Sequence, residues 1–316
     1  MAFRRGIGQD FIDALNAEYE KGEANWWHQM VADPECFTAI RDGYLNVYYR
    51  GCSLVELRHQ EGKLKGLTHY KYLLAPRREP LYLKLTDGEL GFDGQTNFSH
   101  YALTSYGDLN DLKVAASSYA GFEKTGVHEI LTSNENIVDV EVALTQERAG
   151  GDHSDGLEIN AYASNEQDPS QVVRIRFTPR VDFCALVRSG DQIQLRFYEA
   201  KHFSNSELRA TDKPAVIGQL DEYADVLRTS EALVTYAYRT VCIELCALTG
   251  NNVSDEIKSV ARGQPFRVEF APKLLVFGFD QDQKTGKVWN KHLDKLQKTV
   301  KGGVLTKGSP KGFVLT

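Results

Sequence analysis

No window of the chain approaches the roughly 18 uninterrupted apolar residues that a membrane-spanning helix requires. The opening stretch MAFRRGIGQDFIDAL has no apolar core of the kind a signal peptide carries. A cytoplasmic protein with no membrane partner is therefore expected. Bulk positive charge is also missing, since 43 acidic against 37 basic side chains leave a net charge of -6. That argues against a protein that coats nucleic acid through overall charge, although a local basic patch can still hold phosphates. The five cysteines make an odd set, and three sit in apolar strand or helix patterns, which suits reduced, mostly buried thiols rather than a disulfide framework. Cys242 and Cys246 share a helix face, but no second pair completes a zinc or iron–sulfur set. Internal repeats, low-complexity tracts and long linkers are absent, so boundaries must be read from changes of periodicity. So are the Gly-x-x-x-x-Gly-Lys-Ser/Thr phosphate loop, His-Glu-x-x-His and Gly-x-Ser-x-Gly. GDHSDG at 151–156 lacks the spaced acids and terminal Glu of a calcium-binding hand and reads as a loop.

What is present is a chain of 316 residues, 42% hydrophobic and 25% charged, enough for one large domain or two modest ones around a full core. Residues 8–20 read as a short amphipathic helix. From Cys36 to about Phe92, the runs CFTAIRD, YLNVYYRG, SLVELRH, KYLL and LYLKLTD read as an antiparallel meander punctuated by Asp-Gly, Glu-Gly and Pro turns. VYYRG and THYKYLL interleave aromatics with basic residues; a half-buried strand accounts for that mixture better than base stacking does.

Residues 106–131 read as mostly helical with a break near Gly121 or Gly126, and 136–144 as a strand. LEINAYA could add a further strand before VVRIRFTPRVDFCALV (172–187), whose hairpin partner across RSGD is 191–203. Residues 214–250 read as two helices or one broken one, 266–280 as a doubly buried strand, and the end as a short helix with a strand around GGVLTKG. The division expected is a β-rich region over 1–105 and an α/β (α+β) domain over 106–316 with a basic C-terminal segment.

One stretch stands out. In LRFYEAKHF, strand alternation puts Glu199 and Lys201 on the same face as Leu195, Phe197 and Phe203, which ought to be core. Asp182 lies in the neighbouring apolar run, and a hairpin closing through Arg188–Asp191 stands it nearly opposite Glu199. Two carboxylates so close raise a pKa unless something positive lies between them. Mg²⁺, with Mn²⁺ able to substitute, answers this with one or two carboxylates, a carbonyl oxygen (here Ala200) and several waters. Lys201 would then position or deprotonate a water and stabilise charge developing on a phosphate.

Asp182 followed by Glu199-Ala200-Lys201 resembles the PD-(D/E)xK superfamily of metal-dependent nucleases. Its restriction-endonuclease-like core of helix, three-strand meander, helix and strand has the element order read above. Val181 stands where the family often has a proline. In GQLDEYADVL, Gln219 and Tyr223 at i, i+4 resemble the Gln-x-x-x-Tyr helix of lambda-exonuclease-like and RecB-like members. The resemblance covers about residues 106–280. It implies that Gln219 orients groups at the metal site and Tyr223 meets the scissile-strand backbone. It also implies an acid from the preceding helix, Glu123 with Glu129 as the rival, while Glu141 is assigned a structural or supporting place. Lys291, Lys295 and Lys298 on one helix face are candidates for phosphate contact, or else form a solvated face.

The expected activity is metal-dependent phosphodiester hydrolysis, DNA before RNA, in bacterial antiviral defence or DNA processing. The N-terminal region would recognise substrate, bind a partner protein or restrain the nuclease. Cutting both strands of a duplex would favour a homodimer. Two alternatives stand beside it: a catalytically silent nuclease fold that binds nucleic acid or protein, and a metal-dependent hydrolase of small phosphoesters.

Overall fold

A computed structural model describes residues 3–69, 72, 81–86, 89–92, 109–143, 180–210 and 214–315. Among them the chain is mixed α/β, with two sheets and nine α-helices. It opens with α1 (Gln9–Tyr19) and α2 (Trp26–Ala32). Six strands follow: β1 (Phe37–Ile40), β2 (Tyr44–Tyr49), β3 (Cys52–Gln60), β4 (Lys63–Thr68), β5 (Leu81–Thr86) and β6 (Glu89–Phe92). They pair in chain order as an antiparallel sheet. The β3–β4 hairpin shows why the Glu-Gly dipeptide was a sound turn signal. Gln60 pairs with Lys63 across Glu61 (φ 54) and Gly62 (φ 73), the double positive φ that matches strand twist.

Among the described residues the fourth strand is KLKGLT at 63–68, a run that periodicity does not single out. Two lysines and a glycine had hidden its alternation. KYLL lies almost wholly outside the described residues; its Tyr72 sits in a helical turn and is buried. Tyr48 and Tyr49 are buried too, so the aromatic-basic alternation in VYYRG is packing. LEINAYA, GDHSDG, residues 172–179 and the expected boundary near 105 also lie outside the described residues.

The second half runs α3 (Leu109–Ser117), α4 (Phe122–Thr132), β7 (Ile137–Ala143), β8 (Arg180–Ser189) and β9 (Gln192–His202). Next come a 3-10 turn at Ser206–Leu208, α5 (Ala215–Thr229), α6 (Glu231–Ala247) and α7 (Asp255–Ala261). The chain continues through β10 (Phe266–Val268), β11 (Lys273–Phe277), α8 (Gln281–Thr285), α9 (Lys287–Thr299) and β12 (Val304–Lys307). The helical stretch at 106–131 does break at Gly121, which caps α4, and that at 214–250 breaks at Ser230. The run at 266–280 is not one strand but two. Pro272, which has no N–H to donate, separates β10 from β11, and both lie parallel to β9. Helix α7, capped by Ser254, was not foreseen in the polar sequence after Gly250.

The sheet order is β12-β11-β9-β8-β7, with β10 also on β9. The strands β7, β8 and β9 form an antiparallel meander, and β11 and β12 run parallel to β9. One face, with Cys184, Leu186, Leu195 and Phe197, packs against Ile217, Leu220 and Tyr223 of α5 and Val234, Tyr238 and Val241 of α6. The other, with Phe183, Tyr198, Ala200 and Phe277, meets Val127, Ile130 and Leu131 of α4. Helix α4 lies so close that a Cβ at Gly126 would overlap the Phe277 ring. The cysteines are all free, with Cys52, Cys184 and Cys242 buried, as the sequence suggests.

Candidate active site at the β8–β9 fork

The hairpin turn Gly190–Asp191 fixes the β8–β9 register, which runs from Ser189–Gln192 to Phe183–Tyr198. Beyond that pair the two strands stop exchanging backbone hydrogen bonds, although β9 continues to His202. Carboxylates take over. The Ala200 N–H donates to Asp182 Oδ2 at 2.7 Å, and the His202 N–H donates to Glu123 Oε2 at 3.0 Å. Because a strand residue's N–H and C=O point to the same edge, the Ala200 carbonyl is directed into this fork as well.

Glu141 on β7 has φ 48, a left-handed conformation that is costly for a residue with a Cβ, and it lies between the pairs Val140–Phe183 and Val142–Val181. That places it across from Asp182. The Glu141 carboxylate adds its negative charge to that of Glu199 around Asp182.

Glu199 is 1% exposed and Lys201 8%, on the apolar face where strand alternation had put them. Lys201 Nζ stands 2.9 Å from Glu199 Oε1, 2.9 Å from Glu207 Oε2 and 3.9 Å from Glu123 Oε1. Glu199 Oε2 is buried with no hydrogen-bond partner. Burial raises the pKa of Asp182 well above the ordinary aspartate value, and the negative charges of Glu199 and Glu141 push the same way. Burial likewise lifts Glu199 to about 7; Lys201 opposes the rise, and Glu207 and Glu123 add to it. For Lys201 burial works downward but is outweighed by Glu199, Glu207 and Asp182, so the ammonium stays charged. One lysine therefore serves four carboxylates, those of Glu123, Asp182, Glu199 and Glu207, and the cluster is short of positive charge.

Of the two candidate helix acids, Glu123 is the one that reaches the fork, in the first turn of α4; Glu129, further along the helix, makes none of these contacts. Glu207 was missed, since it lies in the short 3-10 turn after β9, where no periodicity reveals which way a side chain points. Asn205 orders that turn by accepting from the Glu207 N–H at 2.9 Å while donating to Glu123 at 2.8 Å. From α5, Gln219 Nε2 donates to the Tyr223 hydroxyl at 2.7 Å, and that hydroxyl donates to the Arg180 carbonyl. Tyr223 is wholly buried, so in this structure it anchors the start of β8 two residues before Asp182. Lys291 and Lys298 are exposed and Lys295 half-buried on the outer side of α9, away from Trp289, Leu293 and Leu296, which face the core.

The sequence also concealed a second buried acid. Asp139 on β7 receives Arg5 Nε at 3.1 Å, an Arg41 guanidinium hydrogen bond, the Tyr238 hydroxyl at 2.9 Å and the Val140 N–H at 2.8 Å. Arg5 and Arg41 come from the N-terminal region, so this network joins the two sheets.

No family model, curated protein or solved structure matches the chain. What the site can hold must be judged from its own donors. Among the described residues no three His, Cys, Asp or Glu side chains form a ready cage for a metal ion. Asp182, the unpartnered Oε2 of Glu199 and the Ala200 carbonyl are nonetheless hard oxygen donors, beside an excess of negative charge. That donor set fits Mg²⁺, which takes one or two carboxylates and retains several waters.

Proposed function

We propose that the chain is a Mg²⁺-dependent nuclease, with Mn²⁺ able to substitute, that hydrolyses phosphodiester bonds, in DNA before RNA. The observation that carries this reading is the buried Glu199, with one oxygen unpartnered, beside Asp182 and Lys201 where two strands part. The order α4, β7–β8–β9 meander, α5 and α6, then β11 supports a restriction-endonuclease-like core, as does the Gln219–Tyr223 pair on α5.

Asp182, Glu199 and the Ala200 carbonyl would hold the metal, with Glu123 at the edge of the set. When bound, the metal would supply a more acidic water and neutralise phosphate charge. The rest of the work falls to the chain. The Ala200 N–H fixes the Asp182 carboxylate, Tyr223 and Gln219 hold the strand that carries it, and Asn205 orients Glu123. Lys201 is placed to orient a water or stabilise charge on the phosphate once its bond to Glu199 loosens. Exposed lysines of α9 would meet the polymer backbone. A cytoplasmic role in bacterial defence or DNA processing, with the N-terminal sheet recognising substrate or partner, follows by analogy alone.

The test is incubation of purified protein with Mg²⁺, Mn²⁺ or chelator on supercoiled, linear and single-stranded DNA and on RNA, beside Lys201→Ala and Asp182→Ala. Metal-dependent cutting lost in both variants supports the reading. Folded protein that cuts nothing overturns it, and cleavage only of small phosphoesters would favour the small-molecule hydrolase.

One observation favours a second reading. Lys201 bridges Glu199 and Glu207 at 2.9 Å each, so an internal cation already offsets part of the charge a metal would meet. A silent fold of this kind would bind nucleic acid or protein with Lys201 as a structural tie. Binding that survives Lys201→Ala, without cutting and without metal dependence, would select it.

A further inference from the structure

Phe122 opens α4 with 88% of its surface exposed, the most of any large apolar side chain among the described residues. A single exposed apolar residue is ordinary. Its position is not. It immediately precedes Glu123, whose carboxylate holds the His202 N–H, and its ring lies 6.3 Å from the His202 ring at 31° between planes.

His202 in turn is fixed. Its Nδ1 lies 2.7 Å from Ser204 Oγ, and its ring packs on Gly278, where a Cβ would overlap it. Phe203 and Phe277 flank His202 as well, with ring centroids 5.0 and 5.9 Å from it and planes at 54° and 78°. The Arg209 guanidinium lies 5.7 Å from the Phe203 ring, adding a cation at its border. Thus one open aromatic face stands on a rigid base at the lip of the carboxylate–lysine fork.

Resting on the nuclease reading of that fork, we propose that Phe122 and His202 form a stacking platform for an unpaired nucleobase next to the phosphate to be cut. The substrate at the cut is then single-stranded or frayed. Every base offers a π face and the platform offers few polar groups, so the contact tolerates any sequence. A base inside a paired duplex has both faces covered and cannot use it.

The experiment measures binding of a single-stranded oligonucleotide carrying 2-aminopurine, a fully paired duplex and a duplex with a short overhang. The proteins are the full chain, Phe122→Ala, Phe122→Trp and, as an exposed aromatic on another element, Tyr236→Ala. Each is also assayed for cutting with Mg²⁺, and its fold is checked by thermal melting. Expected are 2-aminopurine quenching by wild type and roughly 5- to 150-fold weaker single-strand binding by Phe122→Ala, the range that loss of one stacked base gives. Phe122→Trp should restore it, duplex binding should change little, and Tyr236→Ala should match wild type. If Phe122→Ala binds and quenches like wild type while wild type still cuts, the platform is wrong and the nuclease reading stands. If wild type binds and cuts no polymer, both fall.

Discussion

Asp139 on β7 and Glu199 on β9 are both essentially inaccessible, yet their surroundings differ in kind. Asp139 has two arginines, a tyrosine hydroxyl and a backbone N–H, so its donors match its capacity to accept. Glu199 shares a single lysine with Glu207 and has an oxygen that meets no donor at all. Burial of a carboxylate therefore does not mark a site; an uncompensated balance of charge does. The first arrangement ties the N-terminal sheet to the other sheet, and the second leaves a buried carboxylate oxygen without a donor.

The contrast is broken most forcefully at Asp139. Asp139→Asn removes the carboxylate that the buried Arg5 and Arg41 both meet, and a cost of about 3–5 kcal/mol is expected in denaturant unfolding. A loss below about 1 kcal/mol would mean the network is not the tie described.

His128 sharpens the comparison, being buried between α4 and β2 with neither ring nitrogen partnered and its ring edge-on to Tyr49 at 5.4 Å. Burial depresses its pKa from 6.5 to about 4; the negative charges of Glu35 and Asp33 oppose the shift, and Arg50 and Lys113 add to it. Between those values the unfolded chain takes up a proton that the folded chain refuses. Its contribution is therefore complete above pH 6.5 and is lost as pH falls toward 4, by up to about 3 kcal/mol. Unfolding curves of His128→Leu should show a shallower decline over that interval; an unchanged slope would assign the acid sensitivity elsewhere.

A smaller effect is expected at Gly126, where the α4 backbone rests on the Phe277 ring. Gly126→Ala should cost about 1–3 kcal/mol by overpacking. By shifting α4 it should also draw Glu123 from the His202 N–H and, on the proposed nuclease reading, slow cutting. Reduced stability with undiminished cutting would show that Glu123 is dispensable.

Much of the second sheet was legible because its strands are long and apolar. The pairing of Asp182 with β9, the face carrying Glu199 and Lys201 and the helix carrying Gln219 and Tyr223 all follow from periods of two and 3.6 residues. Periodicity could not show the positive φ at Glu141, the contribution of Glu207 from a short turn or the partners of Asp139. Asp139 reads as one more acid in NIVDVEVAL, and its arginines lie far away in sequence, in the N-terminal region. The strand at 63–68 was obscured by its own lysines and glycine, and the proline that divides β10 from β11 was read through.

The most direct measurement is thermal melting of wild type and Glu199→Gln, each with Mg²⁺, with Mn²⁺ and with chelator. Because burial lifts the Glu199 carboxyl to about 7 and Lys201 keeps Glu207 at 2.9 Å, the amide should cost the metal-free protein little. Metal should stabilise wild type, by roughly 1.4 kcal/mol at ten times its Kd, and should leave Glu199→Gln unmoved. A wild-type melting temperature indifferent to metal, or an equal rise in the variant, would contradict a cation site at this fork.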